Sequence, residues 1–127
     1  MLDYFASGFL VFAYFATALF QLAIVFGAPL GEYAYGGQVA GKLPVGYRIG
    51  SLFSFGLMLA LAGHYLAQTG IVQPLLDASG NQIVNWVLVG FAALAALMNN
   101  ITKSEKEKRL WGGTTVAMLL SAVIVAV

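Results

Sequence analysis

The sequence predicts an all-α protein, a four-transmembrane-helix bundle, and two observations carry this prediction. First, 61% of the 127 residues are hydrophobic and only 9% are charged, whereas charged residues make up about 25% of an average soluble protein. Second, four apolar runs lie at 4–28, 47–68, 83–101 and 110–127. Each comes close to or exceeds the length of about 20 residues that a helix needs to cross a bilayer. We therefore predict a single four-helix transmembrane domain over residues 1–127.

The four spans are predicted to be helices because lipid offers the backbone no hydrogen-bond partners, so each span must pair its own polar groups. The strands of a membrane barrel would instead alternate apolar and polar residues. The run LMLALAGHYLA at 57–67 shows no such alternation.

The basic residues indicate how the chain is threaded through the membrane. All six lie in two segments, and they are Lys42, Arg48, Lys103, Lys106, Lys108 and Arg109. The first segment joins spans 1 and 2, and the second joins spans 3 and 4, so both loops are expected on one face. Loops rich in Lys and Arg are typically cytoplasmic. The predicted arrangement is two parallel-oriented helical hairpins with the N-terminus and the C-terminus on the outer face.

The loop GAPLGEYAYGGQVAGKLPVGYR at 27–48 is rich in glycine and tyrosine. It is longer than the connection of about 2–8 residues that a helical hairpin needs. Pro29 cannot continue helix 1, and Pro44 stiffens the approach to helix 2. We expect an ordered loop that folds back over the mouth of the bundle, with a mobile tether as the alternative.

Small or polar residues recur at helical spacing within the spans. They include Ser7, Tyr14, Thr17 and Gln21 in helix 1, and Gly56, Ala60, Gly63 and Ala67 in helix 2. Such stripes let membrane helices approach closely, so ordinary helix packing is the first interpretation. The alternative is a partly polar cavity between the helices, lined by Tyr14, Gln21 and Ser54.

The predicted threading gathers the polar residues of both loops on the cytoplasmic face. The candidate ligand-binding residues there are Glu32, Tyr33, Tyr35, Arg48, Asn100, Ser104, Glu107 and Arg109. Arg48 and Arg109 are expected either to anchor on phosphate headgroups or to pair with Glu32 or Glu105 across the two hairpins.

Local signals mark the start of helix 4. Ser104 is predicted to cap the helix, with Glu107 three residues later completing a capping box. Trp111 and Tyr47 are interpreted as aromatic anchors at the membrane interface.

No metal, cofactor or nucleic acid is predicted. The chain has no cysteine and one histidine, His64, whereas a zinc site needs three or four protein ligands. His64, an intramembrane polar residue near the outer end of helix 2, is interpreted as an interfacial or packing histidine, with proton sensing as the alternative. The net charge of +1 provides no basic surface for nucleic acid. No nucleophile and base occur at a recognisable spacing, so the sequence favours enzymatic activity least among the functions considered.

The segments GAPLGEYAYGG, LPVGYRIGS and NNITKSEKEKRLW resemble a group of small uncharacterised bacterial four-helix integral membrane proteins. The shared positions are Gly27, Ala28, Pro29, Gly31, Gly36, Gly37, Leu43, Pro44, Arg48, Ser51, Asn100, Ser104, Glu107 and Trp111. The resemblance implies a multi-pass protein of the bacterial inner (plasma) membrane, and it implies no activity.

Three functions are open at this point. The first is binding or transport of a small amphiphile or lipid at a cytoplasm-facing site, with Arg48 and Arg109 at its anionic end. The alternative is a structural or accessory subunit of a larger membrane complex. The third is an enzyme acting on a lipid headgroup, with Glu32, Glu105 or Glu107 as the base. Expected partners are membrane lipids, a second copy of the chain or another membrane protein.

Overall fold

The computed structural model describes all residues 1–127 and is entirely helical, without strands. Its long helices are α1 (Leu2–Val25), α2 (Val45–Gln68), α3 (Ala78–Ile101) and α4 (Glu105–Ala126). Each of the four is long and apolar enough to cross a membrane, which confirms the predicted all-α class and the prediction of four membrane-length helices. Helix α4 contains a π-helical segment at Lys108–Gly112, followed by regular α-helix from Gly113.

The helix ends follow from local capping. After α1, Gly27 has a φ of +92°, and the N–H of Ala28 bonds the carbonyl of Ala23 at 3.0 Å, a Schellman-type end. Helix α3 begins at Ala78 because the Asp77 side chain accepts from the N–H of Gly80 at 2.7 Å. The sequence prediction missed this cap and started the third span late, at residue 83.

The helices pack in the order α2, α1, α4, α3. Helix α1 lies along both α2 and α4, and α3 lies along α4, whereas α2 and α3 have few close backbone contacts. Hydrogen bonds join α2 and α3 only near the 69–77 loop: His64 Nε2 lies 2.7 Å from Asn85 Oδ1, and the amides of Gln68 and Asn81 exchange two bonds of 2.7 and 2.8 Å. Away from this end, a seam separates the two helices.

The exterior of the bundle is apolar. Only 25 of the 127 residues are buried, and large side chains such as Phe12, Phe53 and Leu94 are more than half exposed. A surface of this kind is poorly solvated by water and well matched to lipid. The core is small by comparison, and the parallel rings of Tyr14 and Tyr65 stack at its centre with centroids 5.8 Å apart.

The predicted inward stripe is confirmed for α1 and is wrong for α2. Tyr14 of α1 is buried, whereas Gly56, Ala60 and Gly63 of α2 are exposed. Helix α2 turns larger residues inward, among them Tyr65. At this contact α1 supplies the small side chains, so a second small ridge would leave a void that packing does not tolerate.

Candidate ligand-binding cavity

The loop after α1 is ordered and packs on the end of the bundle, as predicted. It contains two 3₁₀ turns, Gly31–Tyr33 and Tyr35–Gly37. Leu43 and Ala34 of the loop are buried with Ile24 of α1 in a small apolar cluster of their own. A loop with its own buried residues is held in place by packing rather than by its ends alone.

Two hydrogen bonds fasten this loop to α4. The N–H of Gly36 donates to Glu107 Oε2 at 3.1 Å, and the indole N–H of Trp111 donates to the carbonyl of Tyr33 at 3.0 Å. The Trp111 ring also meets Phe20 of α1 edge-on, with centroids 4.9 Å apart. Trp111 therefore joins α1, the loop and α4, a role beyond the interfacial anchor predicted from the sequence.

The ion pair that joins the loop after α1 to α4 does not involve an arginine. Glu32 pairs with Lys106, and the Ser104 hydroxyl donates to the Glu32 carbonyl. Neither Arg48 nor Arg109 has a carboxylate partner, so the alternative in which an arginine pairs with Glu32 or Glu105 is wrong. Lys106 reaches Glu32 because both lie on the segments that the docked loop brings together.

Arg48 instead caps a neighbouring helix. Its Nε and Nη2 both donate to the carbonyl of Val25, the last residue of α1, at 3.1 and 2.9 Å. A helix C-terminus has unpaired carbonyls and a partial negative charge, and a guanidinium supplies both donors and positive charge. Arg109 is exposed, without a hydrogen-bond or ion-pair partner in the protein.

The capping box at α4 is half formed. The Ser104 hydroxyl accepts from the N–H of Glu107 at 3.2 Å, as predicted. The Glu107 side chain does not return to the N–H of Ser104, which donates to Thr102 Oγ1. The Glu107 carboxylate turns inward to Gly36, and the residue is only 6% exposed.

Tyr35 fastens the loop to α2, on the side opposite α4. Its hydroxyl lies 2.8 Å from Ser51 Oγ and 3.1 Å from the carbonyl of Tyr47, to which it donates. Tyr35 is the one residue other than glycine with a positive φ, +53°. A left-handed backbone costs a tyrosine about 1–2 kcal/mol, so the docked contacts must compensate for it.

Asn100 supports the π-helical segment of α4. Its Nδ2 donates to the carbonyls of Ala96 and Gly112, at 2.7 and 3.1 Å. The hydroxyl of Thr115 donates to the carbonyl of Trp111 at 2.7 Å. Side-chain donors thus bond backbone carbonyls in the π-helical segment. Such π segments are frequent at functional sites.

A cavity of about 650 Å³ lies between the helices and beneath the docked loop. Tyr14 and Met118 line its deep part, and Phe91 and Met98 of α3 line one wall. The loop residues 33–36 and Gln38 line its mouth. Thirteen of the 23 lining residues are hydrophobic. The volume and the mixed lining fit the range of about 300–1,000 Å³ that is typical of small-molecule sites.

The predicted site residues separate into two groups. Those lining the cavity are Tyr14, Gln21, Tyr33, Tyr35, Ser54 and Glu107. Those outside it are Glu32, Arg48, Asn100, Ser104, Arg109 and His64. The arginines expected at an anionic ligand group are therefore not in the cavity. All of the outer six except Arg109 make hydrogen bonds or an ion pair within the protein.

Several residues that line the cavity were not predicted as site residues from the sequence, among them Phe20, Phe91 and Trp111. Phe20 and Phe91 carry no motif or charge that distinguishes them from lipid-facing residues. The spacing of Trp111 from Glu107, one turn along α4, is the one local signal that could have paired them on the same face.

Comparison of the chain with protein-family models, curated proteins and solved structures gives no match. The class is therefore defined by the fold and the site. The chain forms a four-helix bundle with an apolar exterior, membrane-length helices and an interhelical cavity under an ordered loop.

Proposed function

We propose that this protein is a multi-pass membrane protein that binds a small amphiphile in the interhelical cavity. The cavity itself is the observation that supports this function, because an accessory subunit that acts only through its outer faces needs no interior space of this size. Its apolar wall suits a hydrocarbon body, and the polar groups at its mouth suit a headgroup.

The seam between α2 and α3 supplies a route for the ligand. These helices are hydrogen-bonded only at the far end, and cavity-lining residues occur on both sides of the seam, Met58 on α2 and Ala95 on α3. An amphiphile dissolved in lipid would enter sideways and keep its headgroup near the loop.

A blocked cavity tests the binding function. In Ala95→Phe the new ring would occupy the cavity, whereas Ala93→Phe on the same helix adds the same ring at an exposed position. Lipid or amphiphile that copurifies with the wild-type protein, detected by native mass spectrometry, should be lost in Ala95→Phe and kept in Ala93→Phe. Equal retention in both variants would remove the cavity as the binding site.

We further propose that the protein lies in a bacterial inner membrane, with the loops 26–44 and 102–104 in the cytoplasm and both termini outside. All six basic residues lie in or beside these loops, and cytoplasmic loops carry such an excess. The resemblance stated above supports the same location.

The absence of cysteine makes this orientation directly testable. Single cysteines replacing Gln38 and Lys103 should react with an impermeant maleimide only from the cytoplasmic side of oriented vesicles. A cysteine replacing Gln73, in the opposite loop, should react only from the outside. The reverse labelling pattern would invert the proposed topology.

A further inference from the structure

Two charged residues line the cavity, Lys103 and Glu107, and they do not form an ion pair with each other. Glu107 is buried, and the backbone N–H of Gly36 is its hydrogen-bond partner in the protein. No lysine or arginine lies within ion-pair distance of it. The lysine at the rim of the cavity, Lys103, is exposed. A buried carboxylate is costly unless it is paired, so the mouth of the cavity favours a positively charged group.

Aromatic rings surround the same space. Tyr33, Tyr35 and Trp111 line the mouth together with Glu107, and Phe20 and Phe91 line the wall. The face of an aromatic ring attracts a cation and does not attract a carboxylate. Rings combined with one acidic group are therefore suited to an organic cation, and they disfavour an anionic headgroup.

Several hydrogen-bond donors of the lining are already used within the protein. The Trp111 indole bonds the Tyr33 carbonyl, and the Asn99 amide bonds the Ala95 carbonyl. The Thr17 hydroxyl bonds the Ala13 carbonyl in the same way. By contrast, the side-chain oxygen of Gln21 is buried without a partner. An unpaired buried polar group is costly, and a ligand that donates a hydrogen bond would satisfy it.

From these three observations we propose that the ligand is a lipophilic amine in its protonated form. Its ammonium group would lie at Glu107 among the aromatic rings, and its apolar body would extend toward Tyr14 and Met118. This inference rests on the proposed function, and it reverses the charge expected from the sequence, where Arg48 and Arg109 were assigned to an anionic headgroup.

Three amphiphiles with one chain length and different headgroups test the proposal: decylamine, decanol and decanoate. The protein is reconstituted in nanodiscs of phosphatidylcholine, with empty nanodiscs correcting for partition into lipid. Trp86 and Trp111 are the only tryptophans. In a Trp86→Phe background, fluorescence therefore reports on Trp111, which lines the cavity.

We expect decylamine to bind at least about tenfold more tightly than decanoate, because a partly desolvated charge pair is far stronger than one in water. Glu107→Gln should remove about tenfold of decylamine affinity and should lower decanol affinity much less, because decanol carries no charge. Glu105→Gln, an equal change of charge at an exposed neighbour outside the cavity, should leave the order and the affinities as they are. Glutamine retains an oxygen that can accept from Gly36, so the loop remains docked.

The outcomes separate the two proposals. If all three amphiphiles bind equally, or decanoate binds best, the amine assignment is overturned while the binding function stands. If Glu105→Gln weakens decylamine as much as Glu107→Gln does, surface charge explains the preference and the assignment is equally overturned. If none of the three alters Trp111 fluorescence, both proposals fail. Should Glu107→Gln not fold, the headgroup preference of the wild-type protein decides alone.

Discussion

The carboxylate of Glu107 accepts a hydrogen bond from the backbone N–H of Gly36 at 3.1 Å, across 71 positions of sequence. This bond holds the first interhelical loop against the start of α4 and turns a charge inward to the cavity. The same side chain therefore fastens the loop and supplies the charge at the mouth.

Removing that side chain should loosen the loop. In Glu107→Ala the N–H of Gly36 loses its partner, and we expect the free energy of unfolding to fall by about 1–2 kcal/mol. Thermal unfolding in nanodiscs measures this change, and faster proteolysis within 27–44 locates it. Glu105→Ala, which removes an exposed carboxylate, is the control and should behave as wild type. An equally stable Glu107→Ala with a protected loop would contradict the role assigned to this bond.

Two glycines of the loop allow the energetic cost of a positive φ to be measured apart from the cost of a close contact. Gly37 and Gly41 both have positive φ, +69° and +76°. A Cβ at Gly37 would lie 2.5 Å from the Cβ of Ser104, whereas a Cβ at Gly41 would meet no atom within 4 Å. Gly41→Ala should therefore cost only the strain of about 1–2 kcal/mol.

Gly37→Ala should cost more than Gly41→Ala, because the loop must also move away from Ser104. Thermal unfolding of the two variants, compared under identical conditions, gives the difference. Equal losses would mean that conformation alone explains the glycine at position 37, and that the contact with Ser104 adds nothing.

Arg48 should stabilise the protein through the end of α1. A lysine cannot present two donors from a planar group, so Arg48→Lys should lower the free energy of unfolding by about 1 kcal/mol. Arg109→Lys makes the same exchange at an exposed side chain without a partner and should change nothing. If both variants were indistinguishable from wild type, the bonds to the Val25 carbonyl would contribute no net stability.

The far end of the α2–α3 seam should be held by His64 and Asn85. A double-mutant cycle of His64→Ala and Asn85→Ala should give a coupling energy of about 0.6 kcal/mol and at most about 1.7 kcal/mol, as for hydrogen bonds between membrane helices. A second cycle, with His64→Ala and Asn99→Ala at opposite ends of the bundle, should be additive. Additivity in the first cycle would show that the 2.7 Å contact does not join the helices.

Local properties of the chain were predictable from its sequence. The four helices follow from apolar length, and the cap at Ser104 follows from a short polar motif. The order of the loop at 27–48 could be anticipated because Pro29, Pro44 and its tyrosines favour a packed conformation over a tether. Tyr33 and Tyr35, which line the mouth of the cavity, were among the candidates because the predicted threading gathers the polar loop residues on one face.

The rotation of each helix and the partner of each charge depended on the tertiary structure. In a membrane helix the lipid side and the packed side are both apolar, so hydrophobicity does not distinguish them. For this reason the inward face of α2 was predicted wrongly. Likewise, the sequence left open whether Arg48 would contact a phosphate headgroup or a carboxylate, and it predicted Glu107 in a capping box. In the folded protein, Arg48 bonds the Val25 carbonyl at the end of α1. The docked loop brings the N–H of Gly36 to the Glu107 carboxylate at the cavity.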